Sequence, residues 1–292
     1  LMTPFIPHFT NECLDNIDQK QLSWPKVSKA ELVEEEINYV VQINGKKRSI
    51  LKAKRDMDEN EILEEIKLNN VSFQYGVETS LALNGINLIL TKGQSIGFVG
   101  STGSGKSTLL DIIMGLITPT EGEIKVDGSV ITTSNVRNWQ ANIAHVSQDI
   151  YLFDSTIAEN IAFGESKSEI DFDLVRESAK NACIAEIIES WSDQYQTVIG
   201  ERGVRLSGGQ IQRIGIARAL YRQANVLIFD EATSALDSKT EKLIMNSINS
   251  LDKDITILMI AHRVTTLKDC DQIVELNNSV VSRVGSYNDL CK

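Results

Sequence analysis

The sequence predicts an α/β fold, and three observations carry that expectation. An apolar run, Ser95-Ile96-Gly97-Phe98-Val99, leads straight into a glycine-rich loop, Gly100-Ser101-Thr102-Gly103-Ser104-Gly105-Lys106-Ser107. A second apolar run, Thr108-Leu109-Leu110-Asp111-Ile112-Ile113-Met114, follows at helical spacing. Much later, Val226-Leu227-Ile228-Phe229 reads as a continuous apolar strand that ends in two carboxylates, Asp230 and Glu231. Strand, glycine loop and helix in that order are the scaffold that a phosphate-holding loop requires.

The loop satisfies G-x-x-x-x-G-K-[ST], which a chain of this size meets by accident with a probability of about one in a hundred. Its spacing has a physical reason. A phosphate chain must be enclosed by backbone N–H groups, and only glycine lets the backbone approach and turn so tightly. Gly103 and Gly105 are the expected turn-formers, and Lys106 brings a point charge to the β- and γ-phosphates. Ser107 opens the expected helix 107–115, with its hydroxyl where Mg²⁺ sits and the helix N-terminus adding partial positive charge. Residues Gly100, Ser101, Thr102, Gly103, Ser104, Gly105, Lys106, Ser107 and Thr108 form the candidate nucleotide loop.

Composition bounds the rest. With 292 residues, 42% of them hydrophobic, the chain can build one large or two modest domains. A net charge of −11 argues against a nucleic-acid surface spread over the molecule. The basic cluster Lys46-Lys47-Arg48 to Lys52-Ala53-Lys54-Arg55 is answered by acidic runs at 31–36 and 56–65, and reads as a solvated face. Cys13, Cys183, Cys270 and Cys291 lack C-x-x-C spacing, so neither a zinc site nor a disulfide framework is expected, and a reducing cytosolic setting fits. No apolar run approaches the roughly 20 residues that span a bilayer. The sequence starts at Leu1 without a signal-peptide pattern and reads as a piece of a longer protein.

Residues 1–66 differ from the rest of the chain. They hold charge blocks and Pro4, Pro7 and Pro25, with a small hairpin expected at 37–53 around the turn signal Asn44-Gly45. Residues 67–292 read as one mixed α/β nucleotide-binding domain. Within it, Asp230 can hold Mg²⁺ through water, and Glu231 can face an attacking water as general base. Leu206-Ser207-Gly208-Gly209-Gln210 puts a serine and two glycines at the start of a helix expected over 209–222, an anion site built of open N–H groups.

Together and in this order, the loop at Gly100, the Ser207-Gly208-Gly209-Gln210 element and Asp230-Glu231 closely resemble the motifs of ATP-binding cassette (ABC) ATPases. The resemblance spans Ile66 to Lys292 and implies a P-loop core with a helical subdomain near 150–215 and an antiparallel β subdomain near 67–95. It further implies that Tyr75 stacks on adenine, Gln148 touches Mg²⁺ and couples to a membrane domain, and Asp237 ends the loop Ser234-Ala235-Leu236-Asp237. His262 matches the switch histidine that bonds the γ-phosphate. Catalysis is thereby assigned to Glu231, His262, Lys106 and Gln148, metal binding to Ser107, Gln148 and Asp230, with ATP and Mg²⁺ as the bound species. Ser147 and Ile211 depart from the family pattern without removing a catalytic group.

Leu152–Ile161 and Thr197–Gly203 resemble exporter segments, with Gly200-Glu201-Arg202-Gly203 expected to sense the membrane partner. The reading is an ATP-hydrolysing exporter cassette at the cytoplasmic face of the inner membrane. Its expected partners are a second cassette, closing head to tail, and the transmembrane domain of the same longer chain, with residues 1–66 as the intervening leader. Nucleic acid is not among them. The competing class, a soluble ABC machine acting on nucleic acid or ribosomes, calls for two cassettes or a long coiled-coil insertion, and the sequence holds neither.

Overall fold

The apolar runs fold into two sheets with one helix between them. The computed structural model describes residues 36–43, 46–54, 65–76, 80–233, 235–250, 254–260 and 264–290, the first two stretches as backbone. Two units divide the chain, Leu1–Ile62 and Leu63–Lys292.

In the first unit, strands β1 (Glu36–Ile43) and β2 (Lys46–Lys54) pair antiparallel, from Glu36 opposite Lys54 to Ile43 opposite Lys46, with a register shift between Val41 and Gln42. The expected hairpin is present and one residue longer at each end. Its turn, Asn44-Gly45, lies outside the described residues.

The second unit begins with β3 (Glu65–Phe73), β4 (Leu83–Thr91), β5 (Ser95–Val99) and helix α1 (Lys106–Ile113). Next come β6 (Glu121–Val126), β7 (Ser129–Val130), α2 (Val136–Gln140) and β8 (Ile143–Val146). Four helices follow, α3 (Ile157–Ile161), α4 (Phe172–Asn181), α5 (Ala185–Glu189) and α6 (Gly208–Tyr221). The chain closes with β9 (Val226–Asp230), α7 (Ser238–Asn249), β10 (Thr256–Ile260), β11 (Gln272–Asn277), β12 (Val280–Gly285) and α8 (Tyr287–Leu290).

Six strands form one sheet in the order β12-β11-β5-β10-β9-β8, parallel except for the β12 edge. Four form an antiparallel sheet, β4-β3-β6-β7. The antiparallel subdomain therefore exceeds the expected 67–95. Strand β5 belongs to the parallel sheet, while β6, beyond the glycine loop, returns to pair with β3, and β7 pairs with β6. Only Ile124 of β6 is buried, so its short, mostly polar sequence carries little apolar periodicity to signal a strand.

Strand alternation builds two cores from one sheet. Ile96, Phe98, Ile228, Leu258 and Ile260 pack with Leu109, Leu110, Ile112 and Ile113 of α1 and with Ile66, Leu68 and Leu88 of the antiparallel sheet. Leu227, Phe229, Ile257 and Met259 point into the other core, with Ile157, Ile161, Val175, Ile214 and Ile216 from the helical side. Covered on both sides, α1 buries Thr108, Leu109, Leu110, Ile112 and Ile113 in almost continuous succession.

Helix ends are fixed locally. Thr156 and Glu159 form a reciprocal capping box on α3, and Asp171 caps α4 through the N–H groups of Asp173 and Leu174. Among the described residues no helix is long and apolar enough to cross a membrane.

Candidate nucleotide site

Register in the parallel sheet sets the site. Strand β10 lies between β5 and β9, with Ile260 level with both Phe98 and Asp230. The loop after β5 and the two carboxylates after β9 therefore emerge from the same sheet edge, where open α/β sheets bind ligands.

The loop is formed as expected, except that α1 starts at Lys106 and stops at Ile113. Gly105 sits at φ 101°, and a Cβ there would lie 2.5 Å from the Ala82 carbonyl oxygen, so no other residue fits beneath the β3–β4 connection. Lys106 Nζ donates to the carbonyls of Gly100 and Ser101, each at 2.8 Å, and reaches Ser104 Oγ at 3.5 Å. Burial pulls the Lys106 ammonium below its ordinary pKa, and the carboxylates of Glu231 and Asp230 pull it back up. Asp230 is pushed up by burial, then by Glu231 and Asp111, against Lys106. These four groups thus share one electrostatic cluster. Asp111, a helical turn past Ser107, is the member that sequence reasoning missed.

Glu231 has a left-handed backbone, φ 52°, and its N–H donates to Ile260 O at 3.0 Å. A non-glycine residue in that region is strained, and such residues cluster where chemistry is done. Tyr75 is 67% exposed, stands edge-on to Phe73 with centroids 5.0 Å apart, and its hydroxyl lies 3.0 Å from Thr108 Oγ1. The ring therefore stands beside the loop it is expected to serve. Gln148 is exposed just after β8.

Ser207 is the N-cap of α6, which runs 208–221, one residue earlier than expected. Its Oγ accepts from Gln210 N–H at 3.3 Å, and Gln210 Oε1 accepts from Ser207 N–H at 2.8 Å. No hydrogen bond from the Gly208 or Gly209 N–H groups occurs among the described residues, as is usual in the first turn of a helix. No hydrogen bond links Ser207–Gln210 to Gly100–Thr108 among the described residues. The signature instead abuts the next loop: a Cβ on Gly208 would lie 3.7 Å from Ala235 Cβ. Asp237 caps α7 by accepting from Lys239 and Thr240 N–H and from Thr240 Oγ1, contacts that hold its carboxyl below the usual range. Ser234 and His262 lie outside the described residues.

The donor set fits Mg²⁺. Ser107, Asp230 and Gln148 offer hard oxygens, and no cluster of three or more His, Cys, Asp or Glu that could cage a metal occurs among the described residues. Mg²⁺ suits such a sparse set, because it keeps waters and phosphate oxygens as its remaining ligands.

An aromatic face lies on the helical side. Tyr151, Phe153 and Phe163 are exposed; Phe153 stacks on Phe163 at 4.9 Å and meets Tyr151 edge-on at 5.0 Å. Arg218, from α6, lies 5.0 Å from the Phe163 centroid and donates to Tyr151 O, Asn160 O and Asn160 Oδ1.

Residues 83–234 match the family described as ABC transporter, and residues 1–63 match the anticodon-binding domain of tRNA ligase. An ATP-dependent lipid A-core flippase from Ralstonia nicotianae is 39% identical over 227 residues, 77% of this chain and 38% of that protein. The protein of the same name from Francisella tularensis subsp. holarctica is 38% identical over 264 residues, 90% of this chain and 42% of that one. The chain thus spans about two fifths of these relatives' length. The solved structure of a bacterial Atm1-family ABC exporter with ATP bound superposes with a TM-score of 0.72 at 36% identity, covering 78% of this chain and 40% of the other.

Proposed function

This chain belongs to the ABC transporter family, and on that premise we propose that residues 67–292 are the ATP-driven cassette of an exporter. The observation that carries the reading is the convergence of Lys106, Asp230 and Glu231 at one sheet edge, each within electrostatic reach of the others. Names of the relatives support a lipid or lipid-linked saccharide as cargo.

Each residue then has a task. Lys106 leaves the Gly100 and Ser101 carbonyls for the β- and γ-phosphate oxygens of ATP, and the loop N–H groups enclose the phosphate chain. Tyr75 gives up Thr108 to stack on adenine. Glu231 accepts a proton from the water that attacks the γ-phosphorus, and His262 holds the γ-phosphate. Ser107, Asp230 and Gln148 would hold Mg²⁺, which when bound would supply charge neutralisation to the phosphates.

Among the described residues the signature makes no hydrogen bond to its own loop, which supports its serving a second cassette. Two chains close head to tail, with ATP between Gly100–Thr108 of one and Ser207–Gln210 of the other. The exposed Tyr151, Phe153 and Phe163 face supports docking of the transmembrane domain of the same longer protein, at the cytoplasmic side of the inner membrane. Complementation tests the sandwich. A Ser207→Arg chain mixed with a Lys106→Ala chain recovers part of the hydrolysis that each lacks, and activity rises faster than linearly with concentration. Flat activity per chain with no complementation refutes it.

For the first unit, two readings differ. As a leader between membrane domain and cassette, residues 1–66 are supported by the Francisella alignment, which is long enough to run into the first 63 residues. The match of residues 1–63 to an anticodon-binding domain, ending where the unit ends, supports an RNA-facing module instead. Strand β2 carries Lys46, Lys47, Arg48, Lys52 and Lys54, a local positive stripe flanked by the acidic runs at 31–36 and 56–65. Fluorescence anisotropy of the whole chain with labelled tRNA at two salt concentrations separates them: salt-dependent binding favours the module, none favours the leader.

A further inference from the structure

Two buried polar side chains outside the nucleotide site tie together three segments that carry separate motifs. Gln212 lies two residues past the signature on α6, and its Oε1 accepts from Ala235 N–H at 3.0 Å, within the loop that joins Glu231 to Asp237. Glu241, one turn into α7, is buried as well. A single oxygen of it, Oε1, accepts from the Thr233 hydroxyl at 2.8 Å and from the Thr266 hydroxyl at 2.8 Å. Thr233 lies two residues past Glu231, and Thr266 lies in the 3-10 turn Val264–Asp269 that comes after His262 in sequence.

Burying a carboxylate is costly unless it is well bonded. The N-terminal turn of α7 lowers that cost for Glu241, yet an apolar residue there would avoid it altogether. What an apolar residue cannot do is hold two loops on one oxygen. On the signature side Gly209 faces the same loop, where a Cβ would meet Ala235 O and a Leu236 methyl carbon at an ordinary contact distance of 3.5 Å. The signature helix is thus bonded to Ala235, and Thr233 of the same loop shares the Glu241 oxygen with Thr266.

We propose that Gln212 and Glu241 are positioning residues that couple the signature helix to the general-base loop and to the switch turn. ATP captured by the signature of one cassette is thereby registered at Glu231 and the turn Val264–Asp269 of that same cassette. The proposal rests on the ATPase reading and adds to it a route from one site to the next.

The test is steady-state phosphate release by the whole chain, with ATP affinity measured by equilibrium titration of the same preparations. Glu241→Ala is expected to lower kcat about tenfold while the Kd for ATP stays within about twofold. Glu241→Gln keeps an oxygen that accepts both hydroxyls, and is expected to return to within about threefold of the wild type. Thr266→Val, which deletes one hydroxyl at nearly constant volume, guards against a Glu241→Ala chain that fails to fold, and is expected to lower kcat alone. Unchanged kcat in Thr266→Val, or parallel loss of kcat and ATP affinity, reduces the network to a structural role and overturns the proposal. A wild-type chain that binds no ATP, or never hydrolyses it at any concentration, overturns the ATPase reading and the coupling with it.

Discussion

The glycine loop ahead of α1 is shaped by near neighbours in sequence, whereas the aromatic face on the helical side is framed by distant ones. Lys106 Nζ bonds to carbonyls five and six residues away, and the loop's shape comes from its own glycines. Arg218, by contrast, holds Tyr151 and Asn160 from 67 and 58 residues away, and those bonds frame the exposed aromatic face. A loop shaped by contiguous chain keeps its form when the surroundings shift. An aromatic face framed by long-range polar cross-links does not, and damage there should appear in stability before it appears in nucleotide chemistry.

The largest effect belongs to the nucleotide site, where the sheet register brings Glu231 to the loop. Glu231→Gln is expected to retain ATP binding while hydrolysis falls by about 10²- to 10⁴-fold, as a lost general base requires. Near-normal turnover in a coupled phosphate assay removes Glu231 from that role. On the helical side, Arg218→Ala leaves Asn160, which is fully buried, without its guanidinium donors and uncovers the Phe163 ring. Denaturant titration should show a loss of about 2–4 kcal/mol with ATP affinity little changed in the folded chain. If affinity instead falls as far as in Lys106→Ala, the two sides are not built separately.

Asp230→Asn sharpens the contrast from the other direction. Burial and neighbouring carboxylates raise Asp230 above its ordinary 3.8, so the folded state favours its neutral form. That contribution to stability is present below the unfolded pKa and is lost as pH rises through the folded one. At neutral pH the ionised carboxylate destabilises the nucleotide-free chain. The Asn variant should therefore melt higher than wild type at pH 7, and the difference should fade below about pH 4. The smallest expected effect is Asp171→Ala, which removes the α4 cap at a cost of about 1 kcal/mol and should leave ATP hydrolysis unaltered.

The same contrast explains how much could be read beforehand. The glycine loop, Asp230-Glu231 and the capped signature helix are each written in a few consecutive residues, and each folds where expected to within a residue or two. Antiparallel strands β6 and β7 escaped, because β6 pairs with a strand about fifty residues earlier and buries only Ile124. Gln212, Arg218 and Glu241 escaped for a related reason. A polar residue in a helix reads as solvent-facing unless its partner is known, and the distant partners of these three are a backbone N–H, two carbonyls and the Thr266 hydroxyl. Asp111 read as one polar position in an apolar helix; only the parallel sheet brings it to Asp230.

Glu231 holds its carboxylate in place through a backbone that most residues avoid, φ 52°. Glycine or asparagine would sit there with less strain, by about 1 kcal/mol or more. Selection for heat resistance alone would therefore favour replacing it, and the survivors would outlast the native chain while turning over no ATP. Durability and turnover pull this one position in opposite directions. A laboratory campaign to harden the cassette should screen hydrolysis at every round, because a gain of about 2–4 °C in melting temperature is expected at the position where the chemistry is lost.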